Sequence, residues 1–357
     1  MGELRLMKGN EALAEAAIRA GIDAYFGYPI TPQSEVLEYL TREGYNRTQT
    51  VILQAESEIA SINMVYGAAG AGARVMTSSS SPGISLMMEG ISYIAGAELP
   101  CLLVNVNRGG PGLGTIQPSQ GDYFQSTKGG GHGDYRMIVL APSTVQEMAD
   151  FVLEGFEIAE KYRNPTLILA DGALGQMMEK VELREQLDRK AREIPGWATT
   201  GKTKDRDHNI ITSLFIQPEE MEQVNIRLQK KYKEIEQNET RVQTIQVEDA
   251  DIVLVAYGLS ARISRKAMEI CREKGMKVGL IRPITLWPYP SAAVAEAAEH
   301  AKGFLAVELN AGQMVEDVRL AVNGKCPVEH YGRMGGIIMS PEEIVEKIED
   351  LAKRVNQ

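Results

Sequence analysis

Apolar residues recur in this chain in two rhythms, short unbroken runs and helical stripes, and the two alternate. The first stripe is Leu13, Ala16, Ala17 and Ala20. Its spacing marks one face of a helix; Asn10 stands where an N-cap belongs and Gly21 where a left-handed C′ residue belongs. Ala24-Tyr25-Phe26-Gly27-Tyr28 then reads as a strand that ends in Pro29-Ile30-Thr31-Pro32. The two prolines fix the backbone of a strand-to-helix loop. The alternation continues with a helix over 34–39, a strand over 51–53 and a helix over 56–72 dense in Ala, Ser and Gly. Strands are expected over 74–78, 102–107, 138–140 and 166–170, and helices over 84–95 and 151–161. Strands alternating with helices predict an α/β fold with a parallel sheet covered on both faces.

The texture changes between 181 and 249, where charged and polar residues dominate and 195–207 is rich in turn formers. An exposed helix is expected over 218–238, with Pro near its first turn and mixed Glu and Lys along it. Alternation resumes with a strand over 252–258, followed by a helix over 260–274 closed by Gly275 and strands over 278–281 and 304–309. The expected organisation is one α/β domain over 1–180, a connector over 181–249 and a second α/β domain over 250–357.

Length agrees, since 357 residues exceed the ~250–300 at which a single core stops growing. A hydrophobic fraction of 44% argues against wholesale disorder. A net charge of −10 argues against a nucleic-acid binder with a basic footprint. The three cysteines, Cys101, Cys271 and Cys326, lie far apart. That spacing excludes a disulfide framework, a zinc site or an iron–sulfur cluster held by this chain alone. The first ten residues have no signal-peptide core, and no run approaches the ~18 apolar residues of a membrane span. The expected location is the cytoplasm, with no membrane partner.

Four loops carry candidate chemistry. Residues 27–32 present the Thr31 hydroxyl at a strand's carboxyl end, where ligands of open α/β sheets bind. Its plainer reading is a rigid loop that caps the next helix. Gln54-Ala55-Glu56-Ser57-Glu58 precedes the small-residue helix. Acids favour a helix start for electrostatic reasons alone. A carboxylate there could also hold a ring nitrogen, and small residues admit something flat. Thr77-Ser78-Ser79-Ser80-Ser81-Pro82-Gly83 is either a capped turn or a set of hydroxyls around a cofactor head. Arg108, at the end of an apolar strand and followed by glycines, suits a bidentate carboxylate clamp; the alternative is a surface arginine. His132 in the glycine run 129–134 could act as acid or base, although a lone loop histidine is more often solvated. No Gly-x-Gly-x-x-Gly fingerprint follows a strand, and no Walker A lysine motif is present. The nearest approach to a Gly-Asp-Gly diphosphate grip, Ala170-Asp171-Gly172, has no suitably spaced Asn.

Together these segments resemble the α subunit of 2-oxoacid:ferredoxin oxidoreductases, above all the 2-oxoisovalerate (3-methyl-2-oxobutanoate) type. The likeness rests on Met7-Lys8-Gly9-Asn10-Glu11-Ala12, Gly27-Tyr28-Pro29-Ile30-Thr31-Pro32, Gln54-Ala55-Glu56-Ser57-Glu58, Arg108-Gly109-Gly110-Pro111, the run from Leu280 to Pro288 and Val307-Glu308-Leu309-Asn310-Ala311-Gly312-Gln313. It covers nearly the whole chain. The resemblance implies a pyrimidine-binding domain of a thiamine diphosphate enzyme, followed by a transketolase C-terminal-like domain. It implies that Glu58, with Glu56 as the competing assignment, meets the pyrimidine N1′, beside cofactor contacts from Tyr28, Pro29, Ile30 and Ser79. Thr31 and Arg108 would hold the carbonyl and carboxylate of the 2-oxoacid. A β subunit would bring the diphosphate site, Mg²⁺ and a cluster. A separate γ subunit and a ferredoxin-like δ subunit would complete the assembly, with coenzyme A as co-substrate and ferredoxin as acceptor. No metal site is expected on this chain. The runner-up substrates are 2-oxoglutarate and pyruvate; the alternative of another class is a non-catalytic binding or scaffolding subunit.

Overall fold

The computed structural model describes residues 3–355. In chain order the elements are β1 Glu3–Lys8, α1 Gly9–Arg19, β2 Ala24–Gly27, α2 Ser34–Thr48, β3 Val51–Gln54, α3 Glu58–Gly70, β4 Val75–Ser79, α4 Ser81–Gly96 and β5 Cys101–Asn107. They continue with α5 Tyr123–Thr127, β6 Ile138–Leu140, α6 Val145–Tyr162, β7 Pro165–Asp171, α7 Gly172–Gln176 and β8 Met178–Leu183. The connector contributes α8 Pro218–Glu239. Then come β9 Val242–Ile245, β10 Ile252–Val255, α9 Gly258–Glu273, β11 Val278–Pro283, β12 Thr285–Trp287 and α10 Ser291–Ala297. The chain ends with β13 Gly303–Glu308, α11 Met314–Val322, β14 Val328–Gly332 and α12 Pro341–Val355.

The strands form a seven-stranded sheet in the order β12-β6-β7-β5-β4-β2-β3, a five-stranded sheet β14-β13-β10-β11-β9 and a two-stranded ribbon β1-β8. All pairings in the large sheet are parallel except that of β12 with β6. In the second sheet only β9 runs antiparallel. Strands β5 and β7 are buried along their whole length, as expected where helices cover both faces. On one face α1, α2 and α6 enclose a core around Leu13, Tyr25, Val104 and Phe156. A second core begins under α3 and α4, passes beneath α8 and ends against Val253, Val255 and Phe304 of the second sheet. The two α/β units therefore share apolar packing.

Two expectations need correction. Asn10 does not cap α1; it lies inside the helix, and its amide donates to the Pro32 carbonyl (2.7 Å) and to Glu35 (2.9 Å). It therefore holds the loop after β2 in place. Helix α8 is not wholly exposed, because Val224, Leu228, Tyr232 and Ile235 form a buried stripe. The stretch from Leu280 to Pro288 crosses between the sheets. Its first part is β11 of the small sheet and its second part is β12 on the edge of the large one. At the crossing, Arg282 makes a bidentate pair with Glu147 on α6 (2.7 Å for each bond).

A second seam is built on Gln120, which is 3% exposed. Its side-chain oxygen accepts from Ser260 Oγ (2.7 Å) and the Leu309 amide (3.0 Å), and its Nε2 donates to the Tyr257 carbonyl (2.9 Å). This one amide makes three hydrogen bonds to the second unit, so the segment after Arg108 is fixed to both units.

Candidate active site

Strands β2, β3, β4 and β5 are parallel neighbours, so their carboxyl ends open on one edge of the sheet. The loops that carry Thr31, Glu58, Ser79 and Arg108 follow these four strands and leave from that edge. Glu58 is the first residue of α3, behind the Ser57 cap whose Oγ accepts from the Ala60 amide (3.2 Å). Only 6% of Glu58 is exposed, whereas Glu56 is exposed to solvent. Among the described residues nothing donates a hydrogen bond to the Glu58 carboxylate and no cation pairs with it. Its Oε1 lies against Gly83 on the first turn of α4; a Cβ there would sit 2.5 Å from that oxygen and would also collide with Ser79 Oγ. The hydroxyls of Thr77, Ser79 and Ser80 are buried and have no hydrogen-bond partner. Buried hydroxyls usually find partners, and one of these orphans, Ser79 Oγ, meets the same point above Gly83 as the unpaired Glu58 carboxylate.

Arg108 stands at the other end of the first turn of α4. It is 7% exposed. Its Nη1 donates to the Thr31 carbonyl (2.9 Å) and its Nη2 to the Leu113 carbonyl (3.0 Å). Its Nε is buried without a partner, and no described carboxylate lies within ion-pair distance. The structure thus brings Thr31 and Arg108 together, although the contact is made by the Thr31 backbone. Tyr28, Pro29 and Ile30 lie in the same loop as Thr31, between β2 and α2. Gln33, fully buried, donates to the Tyr28 carbonyl (3.2 Å) and accepts from Ser78 Oγ (2.6 Å). His132 is exposed, with Ser92 Oγ at 3.3 Å on the outer part of α4, away from this edge.

Sequence reading named Ser81 only as one hydroxyl of the serine run and missed its partner Asp122. Ser81 Oγ accepts from the Arg108 amide (3.1 Å) and donates to Asp122 (2.7 Å), to which Asn105 also donates (2.8 Å). Burial pushes the Asp122 carboxyl above the usual range, partly offset by those two bonds. Asp122 lies in an irregular stretch with no periodicity, and only the tertiary contact reveals it. Asp171 is a helix cap, accepting from the Ala173 and Leu174 amides (3.0 Å each). It is not a diphosphate grip. Among the described residues no cluster of His, Cys, Asp or Glu could hold a metal ion, and no helix is long and apolar enough to cross a membrane.

A parallel sheet whose carboxyl edge carries an unpaired buried acid, orphaned hydroxyls and an unpaired buried arginine defines a cofactor-binding α/β subunit. Residues 15–247 match the family described as pyruvate flavodoxin/ferredoxin oxidoreductase, thiamine diphosphate-binding, and residues 250–344 match pyruvate:ferredoxin oxidoreductase core domain II. The chain belongs to this family of 2-oxoacid:ferredoxin oxidoreductases. It is 51% identical to the ketoisovalerate oxidoreductase subunit VorB of Methanothermobacter thermautotrophicus, over 98% of each chain. It is 36% identical to the 2-oxoglutarate synthase subunit KorA of Methanothermobacter marburgensis, over 98% of this chain and 99% of that one. Among solved structures, the 2-oxoglutarate:ferredoxin oxidoreductase from Magnetococcus marinus superposes with a TM-score of 0.85 at 29% identity. That match covers 98% of this chain and 65% of the solved one, so the chain spans about two thirds of that relative's length. A split-gene transketolase, at 12% identity and a TM-score of 0.60 over 97% of this chain and 98% of that one, shares the fold.

Proposed function

We propose that this chain is the α subunit of a coenzyme-A-dependent oxidoreductase that decarboxylates 2-oxoisovalerate and other branched-chain 2-oxoacids and passes electrons to ferredoxin. The observation that carries the reading is a pair of buried, opposite and unpaired charges, Glu58 and Arg108, flanking the first turn of α4. A buried charge without a partner is costly. Two of them at a strand-end cleft are best understood as halves of contacts that ligands complete.

The residues fit the pyrimidine end of thiamine diphosphate. Glu58 would hold a proton at ring nitrogen N1′, with Ser79 and the Tyr28-Pro29-Ile30 backbone beside the ring and Gly83 leaving room for it. When bound, the cofactor supplies the nucleophilic carbon and the electron sink. Arg108 would grip the substrate carboxylate through its free Nε edge while Thr31 orients the keto oxygen. Because CO₂ must leave, Arg108 orients the group more than it stabilises it. The absence of a diphosphate grip here agrees with a β subunit that brings the diphosphate site, Mg²⁺ and a cluster. A γ subunit and a ferredoxin-like δ subunit with further clusters complete the proposal, in the cytoplasm. In this scheme 1–180 is the pyrimidine-binding domain, 181–249 the connector and 250–357 the transketolase C-terminal-like domain.

Substrate choice is supported by the rim. Residues 109–119 and 334–340 carry no charged side chain. A second substrate carboxylate, as in 2-oxoglutarate, would find no cation from these loops. Reconstitution with β and thiamine diphosphate tests the reading by competition among 2-oxoisovalerate, pyruvate and 2-oxoglutarate. Preference for 2-oxoisovalerate supports it and preference for 2-oxoglutarate overturns the substrate assignment. A complex that binds the cofactor but reduces no dye with any 2-oxoacid would favour the scaffolding alternative.

A further inference from the structure

The loop that carries Arg108 is braced by the second unit. After Arg108 the chain makes a tight excursion in which the Gly109 amide donates to the Gln117 carbonyl (2.9 Å) and the Thr115 amide to the Gly109 carbonyl (2.8 Å). The outer face of this loop meets a glycine turn that follows β14. A Cβ on Gly109 would lie 3.1 Å from both the Gly335 carbonyl carbon and the Gly336 nitrogen. A Cβ on Gly336 would collide with Gln117 Cβ and sit 3.1 Å from Thr115 Cγ2. Backbone thus packs on backbone with no room for a methyl group.

The turn is not loose. Arg333, on its near side, pairs with Glu343 on α12, and its amide donates to the Glu308 carbonyl (3.3 Å). On its far side the Ser340 amide donates to Glu343 Oε2 (2.6 Å). One carboxylate therefore pins both ends of residues 333–340 to the second unit. From α12 the contacts run through the glycine turn to Gln117 and Thr115, and then to the Leu113 carbonyl that Arg108 Nη2 binds.

We infer that Gly336 is a positioning residue for substrate: the second unit, through its glycine turn, sets where the Arg108 guanidinium stands. The inference rests on the proposed role of Arg108 as carboxylate clamp. Arg108 borrows two backbone carbonyls for its orientation, one from each side. Pushing one of them outward turns the clamp without touching the cofactor cradle at Glu58. Binding of the substrate carboxylate should weaken while turnover of bound substrate continues. That pattern is a loss of binding felt equally before and during the chemical step.

Two neighbouring glycines provide the test. Gly335 and Gly336 both have positive φ (65° and 93°), so alanine strains the backbone at either. Only at 336 does the new methyl meet the Arg108 loop; at 335 nothing lies within 4 Å. In the reconstituted complex, Gly336→Ala should raise the KM for 2-oxoisovalerate about tenfold, with kcat nearly unchanged. The inhibition constant of the matching 2-hydroxy acid, which keeps the carboxylate and lacks the keto group, should rise in parallel. Gly335→Ala should shift neither by more than about twofold, since it brings strain without the collision. Adding Gln117→Gly to Gly336→Ala removes the struck Cβ and should recover part of the lost affinity. Equal effects at 335 and 336, or a loss of active complex with unchanged KM, would overturn the inference. Arg108→Gln separates it from the reading beneath it. If that variant raises KM and Gly336→Ala does not, the brace alone fails; if Arg108→Gln leaves KM unchanged, the clamp and the brace fail together.

Discussion

Two buried arginines in this molecule, both in motif stretches, live in opposite conditions. Arg282, at the seam between the sheets, is 5% exposed and gives both terminal nitrogens to Glu147. Arg108, at the cleft, is 7% exposed and has only two carbonyls. The carboxylates repeat the contrast. Glu308 is fully buried at the start of α11 and accepts from the Met314 and Val315 amides (2.7 and 3.0 Å) and from Asn310 (3.0 Å). Glu58 is buried at the start of α3 and accepts from no described residue. Residue type and burial do not separate architecture from chemistry here. Saturation of the charged ends does: Arg282 Nε is also buried without a partner, but its terminal nitrogens meet a carboxylate, and a charge compensated in this way holds the fold while one left uncompensated awaits a ligand.

That contrast breaks most visibly at Glu58. Glu58→Ala should lower 2-oxoacid-dependent dye reduction by roughly 10²–10⁴-fold, the usual contribution of a positioned proton donor or acceptor. Size-exclusion chromatography should show the complex still assembled, because no hydrogen bond or ion pair among the described residues is lost. The same substitution at Glu308 should instead reduce the yield of folded chain, since two helix amides and Asn310 lose their acceptor. Equal damage to folding from both would show that saturation is the wrong criterion.

Arg108→Ala comes next. Removing a cation that binds a buried carboxylate costs about 2–5 kcal/mol, so kcat/KM should fall by roughly 30- to several-thousand-fold. Arg108→Lys keeps the charge but not the fork and should restore only part of it. Steady-state kinetics with 2-oxoisovalerate checks both.

How much of this was readable in advance follows the range of the interactions. Ile138–Leu140 was found to the residue, and β2, β3, β5, β7 and β13 to within a residue or two, because a buried parallel strand is a local apolar run. Strand β10 stops at Val255, three residues short of the expected Gly258, because Gly258 already starts α9. Strands β1, β8, β9, β12 and β14 were not found. They are short or half-exposed, and β12 is a strand only because Thr285 and Trp287 meet Leu140 and Val139 of a distant segment. The stripe Val224, Leu228, Tyr232, Ile235 was present at helical spacing and was masked by the charge around it. At the cleft, the loops that bear Glu58, Arg108, Thr31 and Ser79 were legible from strand-end position. The Ser81–Asp122 brace and the Gly336 turn were not, because they exist only where segments far apart in the chain touch.

The paired arginine makes a complementary prediction about stability. Glu147→Ala leaves Arg282 buried with only the Ser143 hydroxyl for company. Breaking a buried pair costs about 3–5 kcal/mol; Glu147 is a quarter exposed, so about 2–3 kcal/mol is the expectation. Chemical denaturation of the complex should read that loss, and the KM for 2-oxoacid should stay the same.

The smallest effect is the pH dependence of stability, and it separates the two kinds of buried acid by sign. Burial pushes the Glu147 carboxyl up, but Arg282 outweighs burial and leaves it below its ordinary 4.5; Glu15 is likewise lowered, burial being outweighed by Arg47 and Arg19. A lowered folded pKa contributes stability that is complete above about pH 4.5 and lost as pH falls through the folded value. Glu308 goes the other way, because burial raises it more than its amide and Asn310 bonds lower it. Its contribution is complete below pH 4.5 and fades as pH rises through the raised value. Each proton taken up or released changes the unfolding free energy by at most about 1.4 kcal/mol per pH unit. Glu147→Gln should therefore flatten the acid limb of the stability curve below pH 4.5. Glu308→Gln should flatten the decline above it. The two variants thus act on opposite sides of one pH. Denaturation midpoints measured from pH 3 to 8 would show this, and a shared direction for the two would mean that burial, not pairing, governs both acids.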